Sequence, residues 1–586
     1  VKTKLPWVNP ERAQALIDIA SRRIVVFDGA MGTSIQNVDL KADDFGGAQY
    51  EGCNENLVIT RPDVIRKIHE EFLRAGADVV ETNSFGNTAI VLAEYGLEAR
   101  AYELNVAAAR IAREACANVA TPDRPRFVAG SMGPTTKAIS VTGGVTFEVL
   151  VENFRQQARG LIDGGADLLL IETSQDTRNV KAALIGIHDL FNATGARVPV
   201  MVSCTIEPMG TMLAGQGVEA FWTSISHFDL FSVGLNCATG PEFMTDHVRS
   251  LSELCRTRVS CMPNAGLPDE DGKYLLTPDQ LGAAIARFAD HGWLNVVGGC
   301  CGTRPAHIAA LAKAVAGKTP RAPVEHARTL FSGIDFLEVT DDNRPVVIGE
   351  RTNVIGSRKF KKLIVDEKWE EAAEVGRAQV KGGAALLDVC LANPDRDETA
   401  DMDRFLSVLI KLAKAPLVID STDAKVIELI NSINLEDGEE RFERVVPIAT
   451  RFGAALVVGC IDEDPVQGMG VSRQRKLEIA RRSYELLTEK YGVRPEDIVF
   501  DPLVFPCATG VEAYVGSAVE TIEGVRLIKH AFPKCRTVLG ISNVSFGLPE
   551  SGREVLNSVF LYHNVKAGLD MAIVNSEKLE RYASIP

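Results

Sequence analysis

The sequence predicts an α/β protein made of two tandem (β/α)8 TIM barrels, on three observations. Short apolar runs rich in β-branched residues alternate with helical patterns along the chain. Each half of the chain holds eight such runs. Their near-continuous hydrophobicity means strands covered on both faces, as in a closed parallel barrel, rather than a sheet with one wet face.

The first eight runs are residues 24–28 (IVVFD), 78–83 (DVVETN), 127–131 (FVAGS), 168–173 (LLLIET), 200–204 (VMVSC), 232–237 (SVGLNC), 259–264 (VSCMPN) and 295–300 (NVVGGC). The second eight are 346–350 (VVIGE), 385–389 (ALLDV), 417–420 (LVID), a weak run around Ile430, 455–459 (ALVVG), 498–501 (IVFD), 537–542 (TVLGIS) and 571–575 (MAIVN). Ten residues separate Asp420 from Asn431, too few for a crossover helix and a strand, so an irregular connection or missing residues are expected there. The segment between the sets carries prolines and charges without a sustained period. The domains are therefore read as 1–320, a linker at 321–345, and 346–586.

A chain of 586 residues exceeds what one hydrophobic core supports, in keeping with two large domains. No apolar run approaches the roughly 20 residues of a membrane span, and the first ten residues lack an apolar signal core, so a cytoplasmic protein is expected. A net charge of −15 disfavours a nucleic-acid backbone as partner. The 12 cysteines are thinly spread and read mostly as small buried hydrophobes, except the adjacent pair Cys300 and Cys301 beside a Gly-Gly turn.

Barrel enzymes place their chemistry at the C-terminal ends of the strands. In the first set the sixth run ends at Cys237 and the eighth at Cys300 and Cys301, one strand apart around a barrel. Three thiolates there can hold a zinc ion tetrahedrally and leave the fourth position open, which suits a thiol substrate bound as thiolate. No histidine lies on a strand end. Asp28 and Glu172, at other strand ends, could bind an amino acid's ammonium, and the small residues Gly29 and Ala30 let backbone amides approach its carboxylate. Buried core cysteines, capping carboxylates and a plain glycine turn are the structural alternatives for the same residues.

The motifs DGAMGT, ETNSFG, GLNCATGP, PNAG and GGCCGT closely resemble the zinc-dependent homocysteine methyltransferase family. That resemblance implies Zn2+ on Cys237, Cys300 and Cys301. It also implies homocysteine contacts from Asp28, Gly29, Ala30, Asn83, Glu172 and Asn236.

The strand ends of the second set form a ring of acids and amides without cysteine, histidine or a phosphate loop. Such a ring suits a flat polar heterocycle, whose ring NH and NH2 groups the carboxylates accept. Helix capping is the alternative for any one of them. The strings GERTN, LVIDS, INS, FDP and GISNVSFGLP resemble the pterin-binding methyltransferase barrels. Folate contacts are thereby implied for Glu350, Asn353, Asp420, Asn431, Asp501 and Asn543, with Asn543 the candidate for answering the change at folate N5.

The two barrels in this order are similar to the N-terminal half of the cobalamin-dependent methionine synthase family. The resemblance implies methyl transfer from 5-methyltetrahydrofolate to cob(I)alamin and from methylcobalamin to homocysteine, giving methionine and tetrahydrofolate. Family corrinoid modules carry a DxHxxG string that does not occur here. Turnover is therefore expected to need added cobalamin, or the C-terminal cobalamin and reactivation modules as partners. A folate-independent homocysteine methyltransferase would leave the second barrel idle, and a dihydropteroate-synthase-like enzyme would leave the cysteines idle. A non-catalytic zinc and folate binding subunit would use both without chemistry.

Overall fold

The computed structural model describes residues 4–325, 327–421 and 432–575. They divide into two compact units, one running from Lys4 to Glu325 and one formed by the described residues from 327 onward.

The first unit contains β1 (Val25–Val26), β2 (Val79–Glu81), β3 (Phe127–Met132), β4 (Leu168–Ser174), β5 (Val200–Cys204), β6 (Ser232–Asn236), β7 (Arg258–Met262) and β8 (Val296–Val297). They pair in parallel in the order β1-β8-β7-β6-β5-β4-β3-β2. A parallel bridge from Phe27 to Val79 and a hydrogen bond from the Asp78 amide to the Val26 carbonyl, 2.7 Å, join the two ends and close the barrel. Valine dominates these short strands because its branched Cβ fits a pleat packed on both faces.

Five helices of this unit begin with proline, at Pro10, Pro62, Pro241, Pro278 and Pro305. That position needs no amide hydrogen bond, and the ring presets the helical φ. The helix Pro10–Arg22 turns Leu16 and Ile19 into one cluster with Val25, Phe27, Phe127, Leu168, Leu170 and Met262. Each such side chain contributes about 1.5–3 kcal/mol on burial.

The segment read as a linker contains an antiparallel hairpin of β9 (Thr329–Ser332) and β10 (Phe336–Val339). It packs on the second unit. Thr329 Oγ1 donates to the Glu496 carbonyl at 2.9 Å, and Arg536 donates to Thr329 Oγ1 and to the Val339 carbonyl, each at 3.0 Å. Val339, with Phe331 and Leu337 beside it, joins the cluster of Val346, Ile348, Leu386, Val538 and Met571. The hairpin thus covers the end of the barrel at which the strands begin.

The second unit contains β11 (Val346–Asn353), β12 (Leu386–Cys390), β13 (Leu417–Ile419), β14 (Ser432–Leu435), β15 (Leu456–Asp462), β16 (Ile498–Asp501), β17 (Arg536–Gly540) and β18 (Met571–Val574). Their order is β13-β12-β11-β18-β17-β16-β15-β14, all parallel. Each half therefore holds eight parallel strands with helices between them. The doubtful fourth strand is β14, and the short connection before it, with Asn431, lies outside the described residues. No helix among the described residues is long and apolar enough to cross a membrane.

Candidate functional site

In the first unit β6 and β8 bring Cys237, Cys300 and Cys301 together. Their sulfurs all lie within 4.8 Å of one another, and Cys237 Sγ is 3.8 Å from Cys301 Sγ. Tetrahedral zinc with Zn–S bonds of about 2.3 Å spaces its sulfurs roughly 3.8 Å apart, so this donor set fits that ion. Local backbone makes the convergence. Cys237 and Ala238 both adopt left-handed φ, 62° and 54°, turning the thiol inward as β6 ends. Cys300 N–H donates to the Pro263 carbonyl at 2.9 Å, and Ala265 N–H to the Cys301 carbonyl at 2.9 Å, which ties the two-cysteine turn to the end of β7.

Glycine is required at two places in that turn. Gly302 has φ +78°, and a Cβ there would fall 2.2 Å from the Tyr274 ring; one on Gly299 would fall 2.5 Å from Thr303 Oγ1. The Tyr274 hydroxyl bonds Cys301, and its own pKa is pushed up to about 12 by burial and by the neighbouring thiol charges. Donation from Cys237 and then Cys300 pushes Cys301 down to about 3.

Behind the thiols lie three carboxylates. Asp28, 2% exposed, accepts from the Glu81 amide with both oxygens at 3.2 Å. Glu172, 6% exposed, accepts from Ser131 and, at 3.2 Å, from Asn236 Nδ2. Burial raises all three acids, and the charges of Glu172 and Asp28 add to the rise at Glu81. A cation arriving here would relieve that cost, as an amino acid's ammonium does. Asn236 is the hub: its Nδ2 also reaches Thr173 Oγ1 at 2.8 Å and Cys300 Sγ at 3.8 Å, and its Oδ1 accepts from Ser203 Oγ at 2.8 Å.

Two further expected contact residues each make a hydrogen bond within the protein. The Ala30 amide donates to Thr303 Oγ1 at 3.2 Å, and Asn83 Nδ2 donates to the Asn54 carbonyl at 2.7 Å. Gly29 lies against Thr303 and Phe72, where a Cβ would come within 2.6 Å of the Thr303 hydroxyl.

In the second unit the strand ends carry Glu350, Asn353, Asp388, Asp420 and Asp501. Ser542 Oγ donates to Glu350 Oε2 at 2.8 Å. Asn353 Oδ1 accepts from the amides of Ile355 and Gly356, and its Nδ2 donates to Asp388 Oδ2 at 2.9 Å. Asn353 therefore serves the turn after β11 and aims Asp388. Burial pushes Asp388 up to about 7, against the Asn353 bond and with the charges of Asp420 and Glu350. Asp501 is pushed up to about 6 by burial and accepts from the Leu503 amide at 2.9 Å. Asn543 is exposed in the turn Ile541–Ser545 after β17, its Nδ2 3.1 Å from where a Cβ on Gly540 would stand.

Sequence reasoning passed over Tyr274, in an exposed charged loop, and read Asp388 as a strand end without giving it a role. The signal for Asp388 was its place in the ring of acids. For Tyr274 the sequence offered none beyond the glycine it covers.

Residues 25–315 match the homocysteine S-methyltransferase family, and residues 349–575 match the pterin-binding enzymes. Methionine synthase from Mycobacterium tuberculosis (strain ATCC 25618 / H37Rv) is 41% identical over 97% of this chain and 49% of its own length. The chain thus spans about half the length of the curated relative it matches. Among solved structures, the metallated homocysteine methyltransferase MmuM from Escherichia coli is 25% identical over 52% of this chain and 99% of its own, with a TM-score of 0.42. A dihydropteroate synthase from Coxiella burnetii in complex with pteroic acid is 12% identical over 42% and 93%, with a TM-score of 0.30. The first unit belongs to the homocysteine S-methyltransferase family and the second to the pterin-binding enzymes, joined here in one chain.

Proposed function

We propose that this chain supplies the two substrate-binding barrels of a cobalamin-dependent methionine synthase, the first taking homocysteine and the second 5-methyltetrahydrofolate. The observation that carries the reading is the meeting of three cysteine sulfurs within 4.8 Å at the strand ends of a homocysteine S-methyltransferase barrel. The pterin-binding match of the second unit and the methionine synthase relative support the pairing.

Cys237, Cys300 and Cys301 would hold Zn2+, which supplies a Lewis acid able to keep a thiol substrate as thiolate at neutral pH. Asp28 and Glu172 receive the ammonium of homocysteine, and Asn236 keeps Glu172 and Cys300 in register so that the amino-acid end and the sulfur end are read together. In the second unit Asp388, Asp420 and Asp501 accept from the pterin ring, with Glu350 at the same rim. Asn543 answers the change of charge at N5, since an amide oxygen accepts from a protonated nitrogen. The overall reaction would be methyl transfer from 5-methyltetrahydrofolate to homocysteine, giving tetrahydrofolate and methionine, for which a corrinoid would supply the methyl carrier while the residues of this chain present the two substrates. The corrinoid is carried by a partner module, and the chain works in the cytoplasm.

Zinc content and methionine formation from homocysteine and free methylcobalamin test the reading, comparing the protein with Cys237→Ala. The expected result is about one zinc per chain, and loss of both zinc and activity in the variant. Zinc and activity untouched by the substitution would overturn it.

A further inference from the structure

Lys476 is among the largest fully buried side chains of the protein, at 0% exposure. Charged groups are seldom placed so unless a partner or a function repays their desolvation. It rises from the helix Arg473–Glu485, and the fold clears a path for its stem. A Cβ on Gly524 would fall 2.6 Å from Lys476 Cδ, and one on Gly470 would fall 3.4 Å from its Cα. Its ammonium donates to the carbonyls of Pro502, at 2.5 Å, and Leu503, at 3.3 Å, and lies 5.1 Å from the centre of the Phe505 ring.

These carbonyls belong to the turn that follows β16, directly beyond Asp501. Leu503 holds a left-handed φ of 64°, costly for a residue with a branched side chain. Its amide donates to Asp501 Oδ1 at 2.9 Å, and its carbonyl also accepts from Thr521 Oγ1 at 3.0 Å. The turn thus grips the carboxylate on one side and the ammonium on the other. Among the described residues, the charges that bear on Asp501 are Lys476 and, from the end of β13, Asp420. Cys460 of β15 and Glu520 of the helix Ser517–Ala531 bear on Lys476 in turn. Arg473 pairs with Glu520 at 2.6 Å and so fastens together the two helices between which the lysine stem runs.

We infer that Lys476 is a positioning residue for the pterin site: its buried ammonium holds the 502–505 turn and keeps the Asp501 carboxylate ionised and aimed at the ligand. The inference rests on the pterin reading of the second unit. Burial raises Asp501 to about 6, and the lysine charge opposes that rise. Burial also brings Lys476 down to about 8, which still leaves it a cation at neutral pH. Without it, Asp501 would protonate near neutrality and cease to accept from the pterin NH groups.

The experiment measures the affinity of the whole chain for 5-methyltetrahydrofolate from pH 5.5 to 8.5, for the protein, Lys476→Met, Lys476→Gln and Thr521→Val. Lys476→Gln keeps a donor for the two carbonyls while removing the charge, so it remains informative if the methionine variant fails to fold. Thr521→Val loosens the same turn without touching charge. The expected result for both lysine variants is a loss of roughly twofold at pH 7 that approaches tenfold at about pH 5.5, with the acid limb of binding moved up by about one pH unit. For Thr521→Val the limb stays in place. A lysine variant that binds as the parent does, or that weakens equally at every pH with the limb unmoved, overturns the inference. Failure of the unsubstituted protein to bind 5-methyltetrahydrofolate overturns the pterin reading, and this inference falls with it.

Discussion

The two barrels share a strand count and a plan, yet they prepare their sites by opposite means. The first gathers three soft donors on a strained backbone: left-handed Cys237 and Ala238, and a Gly302 that no larger residue can replace. The second gathers hard carboxylates on an ordinary backbone and places its strain behind them, at Leu503. A sulfur cluster is set by where the chain turns. An acid cluster is set by what compensates its charge, here the amide of Asn353, the amide of Leu503 and the ammonium of Lys476.

If that contrast is right, backbone changes should harm the first site most, and charge changes the second. The largest effect is expected from Gly302→Ala, which adds both a positive-φ penalty and a collision with the Tyr274 ring. A loss of about 3 kcal/mol is expected for the first unit, with weakened zinc retention, read by thermal unfolding and metal analysis. An unchanged melting curve would break the comparison at its strongest point.

Asp388→Asn comes next, and its sign is opposite. A carboxylate raised on folding contributes stability that is complete below its unfolded pKa and is lost as pH rises through the folded value, here about 7. The amide can still accept from Asn353, so the variant should be more stable than the parent at pH 8, by on the order of 2 kcal/mol. The gain should vanish below about pH 4, while 5-methyltetrahydrofolate binding falls. Equal stability of the two proteins at pH 8 would mean that this acid carries no burden. The smallest effect is expected from Thr303→Val, which removes the 2.7 Å bond to the Cys300 carbonyl and the acceptor of the Ala30 amide. About 1 kcal/mol is expected, with zinc retained, because the sulfurs themselves stay in place.

The strands were readable because buried parallel strands must be apolar over their whole length, as Leu168–Ile171 and Val200–Val202 are, and helical segments between them are not. The cysteine cluster was readable for a topological reason: strand ends of one barrel share a rim, so Cys237 and Cys300 meet although far apart in sequence. Lys476 was not readable. Its helix, Arg473–Glu485, is rich in charges that reach solvent, and nothing in the local pattern distinguishes the one that turns inward to meet Pro502. The hairpin escaped for a different reason, since two four-residue strands are too short to establish a period. Their apolar residues Leu330, Phe331, Phe336 and Leu337 gain meaning only once the floor they cover is known.

That floor decides where the second module can be cut free. A fragment begun at Val346 would carry every barrel strand, yet leave the ends of Val346, Leu386, Val538 and Met571 open to water and strip the Arg536 guanidinium of its two hairpin acceptors. A fragment begun just before Thr329 brings its own cover. For anyone expressing the pterin barrel alone, those seventeen residues separate a sticky product from a well-behaved one.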